Sequence, residues 1–129
     1  MSHRPPLSPH LQIYRLPLTA LLSISHRLTG VLLSLGLVGG LGMLVSLAYA
    51  PDIYEQARLM LQTWPGRWGM AGFIFALFFH LCHGIRHLLW DVGYGLERTR
   101  LNRLALYELL AATGLTLICL LAARLNDPA

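Results

Sequence analysis

Apolar residues in this chain gather into three long runs, and polar residues mark the breaks between them. The first run holds 23 consecutive residues without a charge, Leu28 to Ala50. At 1.5 Å per helical residue that is enough to cross the ~30 Å hydrocarbon layer of a membrane. The second holds 18 uncharged residues, Trp68 to Ile85, and continues to about Val92. The third extends from about Asn102 to Leu125, with Glu108 the lone charge between its arginine-bearing ends. The runs predict an all-α integral membrane protein with spans over roughly 19–50, 66–92 and 102–125. Residues 1–18, punctuated by Pro5, Pro6, Pro9 and Pro17, read as an interfacial arm on a 19–129 transmembrane domain. Ser8-Pro9 is a helix-start pair, and Tyr14 and Arg15 suit the headgroup level.

The breaks have their own grammar. Pro51-Asp52 ends the first run, and Tyr54 to Gln62 predicts a short surface helix. Trp64 and Trp68 bracket Pro65-Gly66-Arg67 as an aromatic belt. Gly93-Tyr94-Gly95 stops the second span, and Glu97, Arg98, Arg100 and Arg103 predict a charged loop. Gly36 and Gly40 form a GxxxG pair that points to close helix packing.

Composition agrees with the pattern. Of 129 residues, 55% are apolar and only 12% charged, about half of what a soluble domain carries. All ten basic residues are Arg and the net charge is +4, but the arginines flank apolar runs, which argues for membrane anchoring rather than nucleic acid. Seven arginines, at 4, 15, 27, 86, 98, 100 and 103, fall on the side of the N-terminus, and three, at 58, 67 and 124, on the other. The positive-inside rule then places the N-terminus in the cytoplasm. Cys82 and Cys119 lie inside apolar runs with no CxxC pair, so they read as buried thiols. Met1 to Pro6 opens neither a signal peptide nor an Arg- and Ser-rich leader, which makes a bacterial inner membrane the expected setting.

The chemistry concentrates in the second span, where His80, His83, His87, Arg86 and Asp91 follow one another. Ionisable groups inside a span are costly and tend to be functional. His80 and His87 differ by only about 20° in helical direction and lie roughly 10 Å apart along the axis. That spacing suits a b-type haem with iron at one histidine and propionates near the other. His80 lies about 16 Å from Asp91, near the bilayer middle, and so predicts the axial ligand. Arg86 and His87 lie near the surface, where propionates would point. Ala76 and Gly84, one turn to either side of His80, leave room for a flat macrocycle. His83, about 60° off that direction, is the competing ligand. A histidine here can also simply hydrogen-bond a neighbouring helix. His26 is expected level with His87 rather than His80, so the second iron ligand is expected from another polypeptide.

On the first span, Ser23, His26, Arg27 and Gly30 share one helical face. A hydroxyl, an imidazole and a guanidinium there suit a quinone carbonyl and the charge that develops on its reduction. Arg27 equally suits a haem propionate, or lipid phosphate. Asp91 suits an arginine partner, a proton relay or plain solvation.

These residues fall in three motifs: Arg4-Pro5 followed by Ser8-Pro9-His10-Leu11-Gln12-Ile13-Tyr14; Ser23-x-x-His26-Arg27-x-Thr29-Gly30; and His80-x-x-x-Gly84-Ile85-Arg86-His87-x-x-x-Asp91-x-Gly93-Tyr94. In kind and order they resemble the cytochrome b556 membrane-anchor subunits of succinate dehydrogenase, the succinate:quinone oxidoreductase of respiratory complex II. The resemblance covers essentially the whole chain. It implies half of a heterodimeric anchor bundle, with a second anchor subunit supplying three more helices and the other haem ligand. It also implies a flavoprotein and an iron–sulfur subunit on the cytoplasmic face, and electrons passing from succinate to ubiquinone or menaquinone. The chain would then be a non-catalytic subunit of an oxidoreductase. In that family's terms His80 resembles the haem b ligand, His26, Arg27, Arg86 and His87 resemble its propionate neighbours, and Ser23 and Arg27 resemble quinone-site residues. Pro6 lengthens the opening motif by one residue, and His83 stands where the family often has an aliphatic side chain. The alternatives are a haem-free structural anchor, the anchor of a quinol:fumarate reductase, and a small cytochrome unconnected with a dehydrogenase.

Overall fold

The computed structural model describes residues 16–95 and 97–126, with the backbone alone at 98 and 99. The expected arm motifs, from Arg4 to Arg15, lie outside the described residues. Among the described residues the protein is all-helical: α1 (Leu18–Tyr49), α2 (Pro51–Gln62), α3 (Trp64–Asp91) and α4 (Arg98–Leu125). Three of these are long and apolar enough to cross a membrane: Leu18–Tyr49, Trp64–Asp91 and Arg100–Leu125.

The helices end where the local chemistry dictates. Pro51 opens α2, where its missing N–H costs nothing. The Thr63 hydroxyl accepts from the Gly66 amide at 3.3 Å and caps α3. At the far end of α3, Gly93 has φ +81°. Its amide donates to the Trp90 carbonyl (2.8 Å) while the Tyr94 amide donates to Leu89 (2.9 Å). This is a Schellman stop, and it needs a residue that accepts positive φ. The charged loop expected through Arg103 is shorter than the sequence suggests. The helix begins at Arg98, and Arg100 pairs with Glu97 (2.9 Å) across its first turn.

The surface helix α2 turns Tyr54, Ala57 and Leu61 partly inward and leaves the rest exposed. On its outer face Arg58 donates two hydrogen bonds to Glu55, at 2.9 and 2.7 Å. The guanidinium holds the Glu55 carboxyl below the usual carboxylate range.

In the bundle α3 is the central element, packed against both α1 and α4. The face of α4 that meets α3 carries Ala105, Glu108, Ala112 and Thr116, all buried and spaced three or four residues apart. The two alanines are fully enclosed, so the backbones approach closely around Glu108. Leu22 and Phe79 complete the small core. On α1, a Cβ at Gly36 would collide with the Phe73 ring, so this glycine lets α3 in. Beyond these contacts α1 is apolar and exposed nearly all round, from Leu28 to Leu47. A helix of that kind is covered by lipid or by other helices, not by water.

Candidate functional site

The site is a cluster of four imidazoles between α1 and α3. His26 lies eight residues inside the start of α1, about 12 Å along the axis. Its ring stacks on His80 (centroids 4.0 Å apart, planes 14° apart) and on His83 (4.5 Å, 28°). It lies 5.8 Å from the His87 ring. The expectation that His26 lies level with His87 rather than His80 is therefore corrected. The span begins at Leu18, as expected from about 19, but the way α1 lies against α3 sets His26 beside His80.

Two histidines three residues apart on α3 have opposite surroundings. His80 is half-buried on the side of α1. Its Nδ1 lies 3.2 Å from the His26 carbonyl oxygen and 3.2 Å from Thr29 Oγ1. A carbonyl only accepts, so Nδ1 carries the proton and donates. The Thr29 hydroxyl donates to that same carbonyl at 2.9 Å, leaving its lone pairs toward His80. The tautomer is thereby set, and Nε2 is left with its lone pair. A Cβ at Gly30 would stand 3.1 Å from His80 Cε1, so the missing side chain lets this ring lie against α1.

His83 is completely buried and faces α4. Its Nδ1 lies 2.7 Å from Glu108 Oε1 and 3.1 Å from Arg86 Nη2. Arg86 is also buried, 3% exposed, with Nη1 3.1 Å from Glu108 Oε2. That contact is close enough for an ion pair but not aligned as a hydrogen bond. The guanidinium carbon lies 4.8 Å above the Trp90 ring. Arg86, expected near the membrane surface, is thus enclosed between α3 and α4. It follows His83 by three residues, shares the α4-facing side, and needs the carboxylate there as counter-ion.

The other expected positions divide. His87 is partly exposed and meets His83 and Trp90 edge-on, with centroids 4.8 and 5.0 Å away. On α1, His26 and Gly30 face α3, whereas Arg27 is exposed. Ser23 is half-buried and its hydroxyl donates to the Thr19 carbonyl at 3.0 Å. Ala76 is enclosed within the chain's own packing, so it does not offer the open flank expected of it. A Cβ at Gly84 would meet nothing within 4 Å, so that flank is open. Asp91 is exposed.

Glu108 and Thr29 were not singled out for these roles by sequence reasoning. A lone carboxylate in the third span was the available signal, since such a group needs a buried partner. Thr29 carried no comparable signal, because its contact depends on how α1 and α3 are aligned.

The residues present fit a haem at His80. A half-open imidazole with Nδ1–H bound to a backbone carbonyl presents Nε2 as a metal ligand. His26 does not serve as the opposite ligand in this arrangement, because stacked rings cannot approach one iron from its two faces.

The sequence matches the family "Succinate dehydrogenase/Fumarate reductase transmembrane subunit" over residues 1–122. It is 46% identical to the succinate dehydrogenase cytochrome b556 subunit of Paracoccus denitrificans over 71% of this chain and 71% of that protein. With the corresponding subunit of Rickettsia felis it shares 37% identity over 75% of each chain. With the mitochondrial cytochrome b560 subunit of Dictyostelium discoideum it shares 42%, over 67% of this chain and 45% of the relative. The three apolar helices, the histidine cluster and these likenesses together establish that the chain belongs to the succinate dehydrogenase/fumarate reductase transmembrane subunit family.

Proposed function

We propose that this chain is the haem b-carrying membrane anchor of a succinate:quinone oxidoreductase, with His80 as its axial ligand. The observation that carries the reading is the contact of His80 Nδ1 with the His26 carbonyl, which commits Nδ1–H and leaves the Nε2 lone pair for a metal. A bound haem supplies one-electron redox chemistry at its iron. His80 holds the iron, and the His26 carbonyl and Thr29 hold His80. The exposed Arg27 and partly exposed His87 face the propionates; Arg86 acts behind them by balancing Glu108. The second axial ligand comes from a partner anchor subunit, which also covers the exposed apolar faces of α1.

Ser23 and Arg27 form this chain's part of a site for ubiquinone or menaquinone. The exposed Arg27 guanidinium suits the charge that develops on a quinone oxygen. The flavoprotein and iron–sulfur subunits dock on the side that carries Arg27 and the α3–α4 loop. The arginine balance makes that side cytoplasmic in a bacterial inner membrane.

The test is a dithionite-reduced minus oxidised spectrum of the purified complex. Bands of b-type haem are expected. A complex that oxidises succinate and reduces quinone without such bands would leave only a structural anchor.

A further inference from the structure

On the side of α3 turned away from the histidines, α3 and α4 leave a groove in two adjoining parts. The upper part lies at the α3–α4 turn, holds about 350 Å3 and is lined by Tyr94, Arg100 and Arg103. The lower part holds about 260 Å3 and is walled by Cys82, Ile85 and Leu89 from α3 and by Ala111 from α4. Leu104 and Tyr107 border both parts and join them. On α4, Arg100, Arg103, Tyr107 and Ala111 recur three or four residues apart, so they form one stripe that runs roughly 16 Å from charged to apolar.

Polarity falls along this stripe in the order found along a phospholipid. At the mouth, Arg100 shares its charge with Glu97, whereas Arg103 is exposed and has no ion-pair partner among the described residues. The rings of Tyr94 and Tyr107 are exposed beside them. One level down, Arg86 lines the groove with only 3% of its surface exposed. Its Nε is buried and has no hydrogen-bond partner among the described residues, and a buried N–H needs an acceptor. Glu108 borders the same level, but its charge is answered by Arg86 at 3.1 Å. Beyond Arg86 the walls are apolar.

We propose that this groove binds one anionic glycerophospholipid. Its phosphate lies against Arg103 and the tyrosine hydroxyls, because a guanidinium pairs with phosphate through charge-assisted hydrogen bonds. An ester carbonyl accepts from Arg86 Nε, and an acyl chain lies between Ile85 and Ala111. An apolar helix laid in the groove would bring Arg86 no acceptor, since the carbonyls of a membrane helix are spent within it. Neither His80 nor a haem takes part in this site.

The experiment is native mass spectrometry of the intact complex, stripped of lipid in detergent and titrated with phosphatidylglycerol or phosphatidylcholine. The wild type is expected to hold one phosphatidylglycerol more than Ala111→Trp, in which an indole takes the place of the chain. Arg103→Gln is expected to weaken that lipid about 5-fold. The wild type is expected to hold phosphatidylcholine less tightly than phosphatidylglycerol. Equal phosphatidylglycerol on wild type and Ala111→Trp would overturn the proposal, because a headgroup held by arginines alone ignores the chain's place. Equal affinity of the wild type for the two lipids would overturn the anionic assignment. Ala111 and Arg103 are both exposed, so neither substitution disturbs the packed face of Ala105, Glu108 and Ala112.

Discussion

His80 and His83 are one helical turn apart on the same helix, in the same apolar run, and share the stacked ring of His26. Their difference comes from what lies across from each. Opposite His80 are a glycine, a threonine hydroxyl and a backbone carbonyl, which fix one nitrogen and leave the ring half-open. Opposite His83 are a carboxylate and the close-packed alanines of α4, which enclose it. The first arrangement can receive a large planar group. The second can only hold helices together. Histidine content alone does not separate these roles; the neighbouring helix does.

The largest effect that would break this comparison is expected on the enclosed side. Glu108→Ala strips the counter-ion from a buried arginine, a change that costs roughly 3–5 kcal/mol where it has been measured. The complex should then lose its anchor on mild heating, as followed by the subunits that remain in the membrane fraction. A wild-type thermal profile for this variant would mean that Arg86 finds another partner.

A smaller effect is expected at the close approach of α1 and α3. Gly36→Ala drives a methyl into the Phe73 ring and should cost about 1–3 kcal/mol. Phe73→Leu in the same chain should restore most of that loss. On the open side, Arg27→Ala should slow quinone reduction several-fold while succinate oxidation with a soluble artificial acceptor stays intact. If both activities fall together, the change acts on assembly and the quinone reading loses its support. The smallest effect is expected at Glu55→Gln on the surface helix. Its bidentate pair with Arg58 is exposed to water and should leave assembly unchanged. Because that carboxyl titrates low, whatever the pair contributes is present at neutral pH and fades only as the pH falls through its lowered value.

The comparison also marks what the sequence can carry. The three spans were legible because uncharged runs of 23 and 18 residues have few soluble explanations. The different directions of His80 and His83 were legible from helical phase. What meets each histidine was not. The pairing of His83 with Glu108, 25 positions away, depends on the alignment of α3 and α4, which Ala105 and Ala112 set by close packing. No periodicity within one helix encodes that alignment. The place of His26 beside His80 was not legible for a related reason: the span was expected from about 19 and begins at Leu18, but its alignment against α3 is set between helices. The pairing of Arg86 with Glu108 across the α3–α4 interface was not legible for the same reason.

The most direct measurement is the reduced-minus-oxidised spectrum of two variant complexes, His80→Ala and His83→Gln, purified side by side. The glutamine retains a donor for Glu108, so the enclosed side keeps its hydrogen bond. The account predicts that His80→Ala abolishes the b-type bands and His83→Gln retains them. Bands that survive in His80→Ala and vanish in His83→Gln would contradict it and move the iron to the enclosed side of α3.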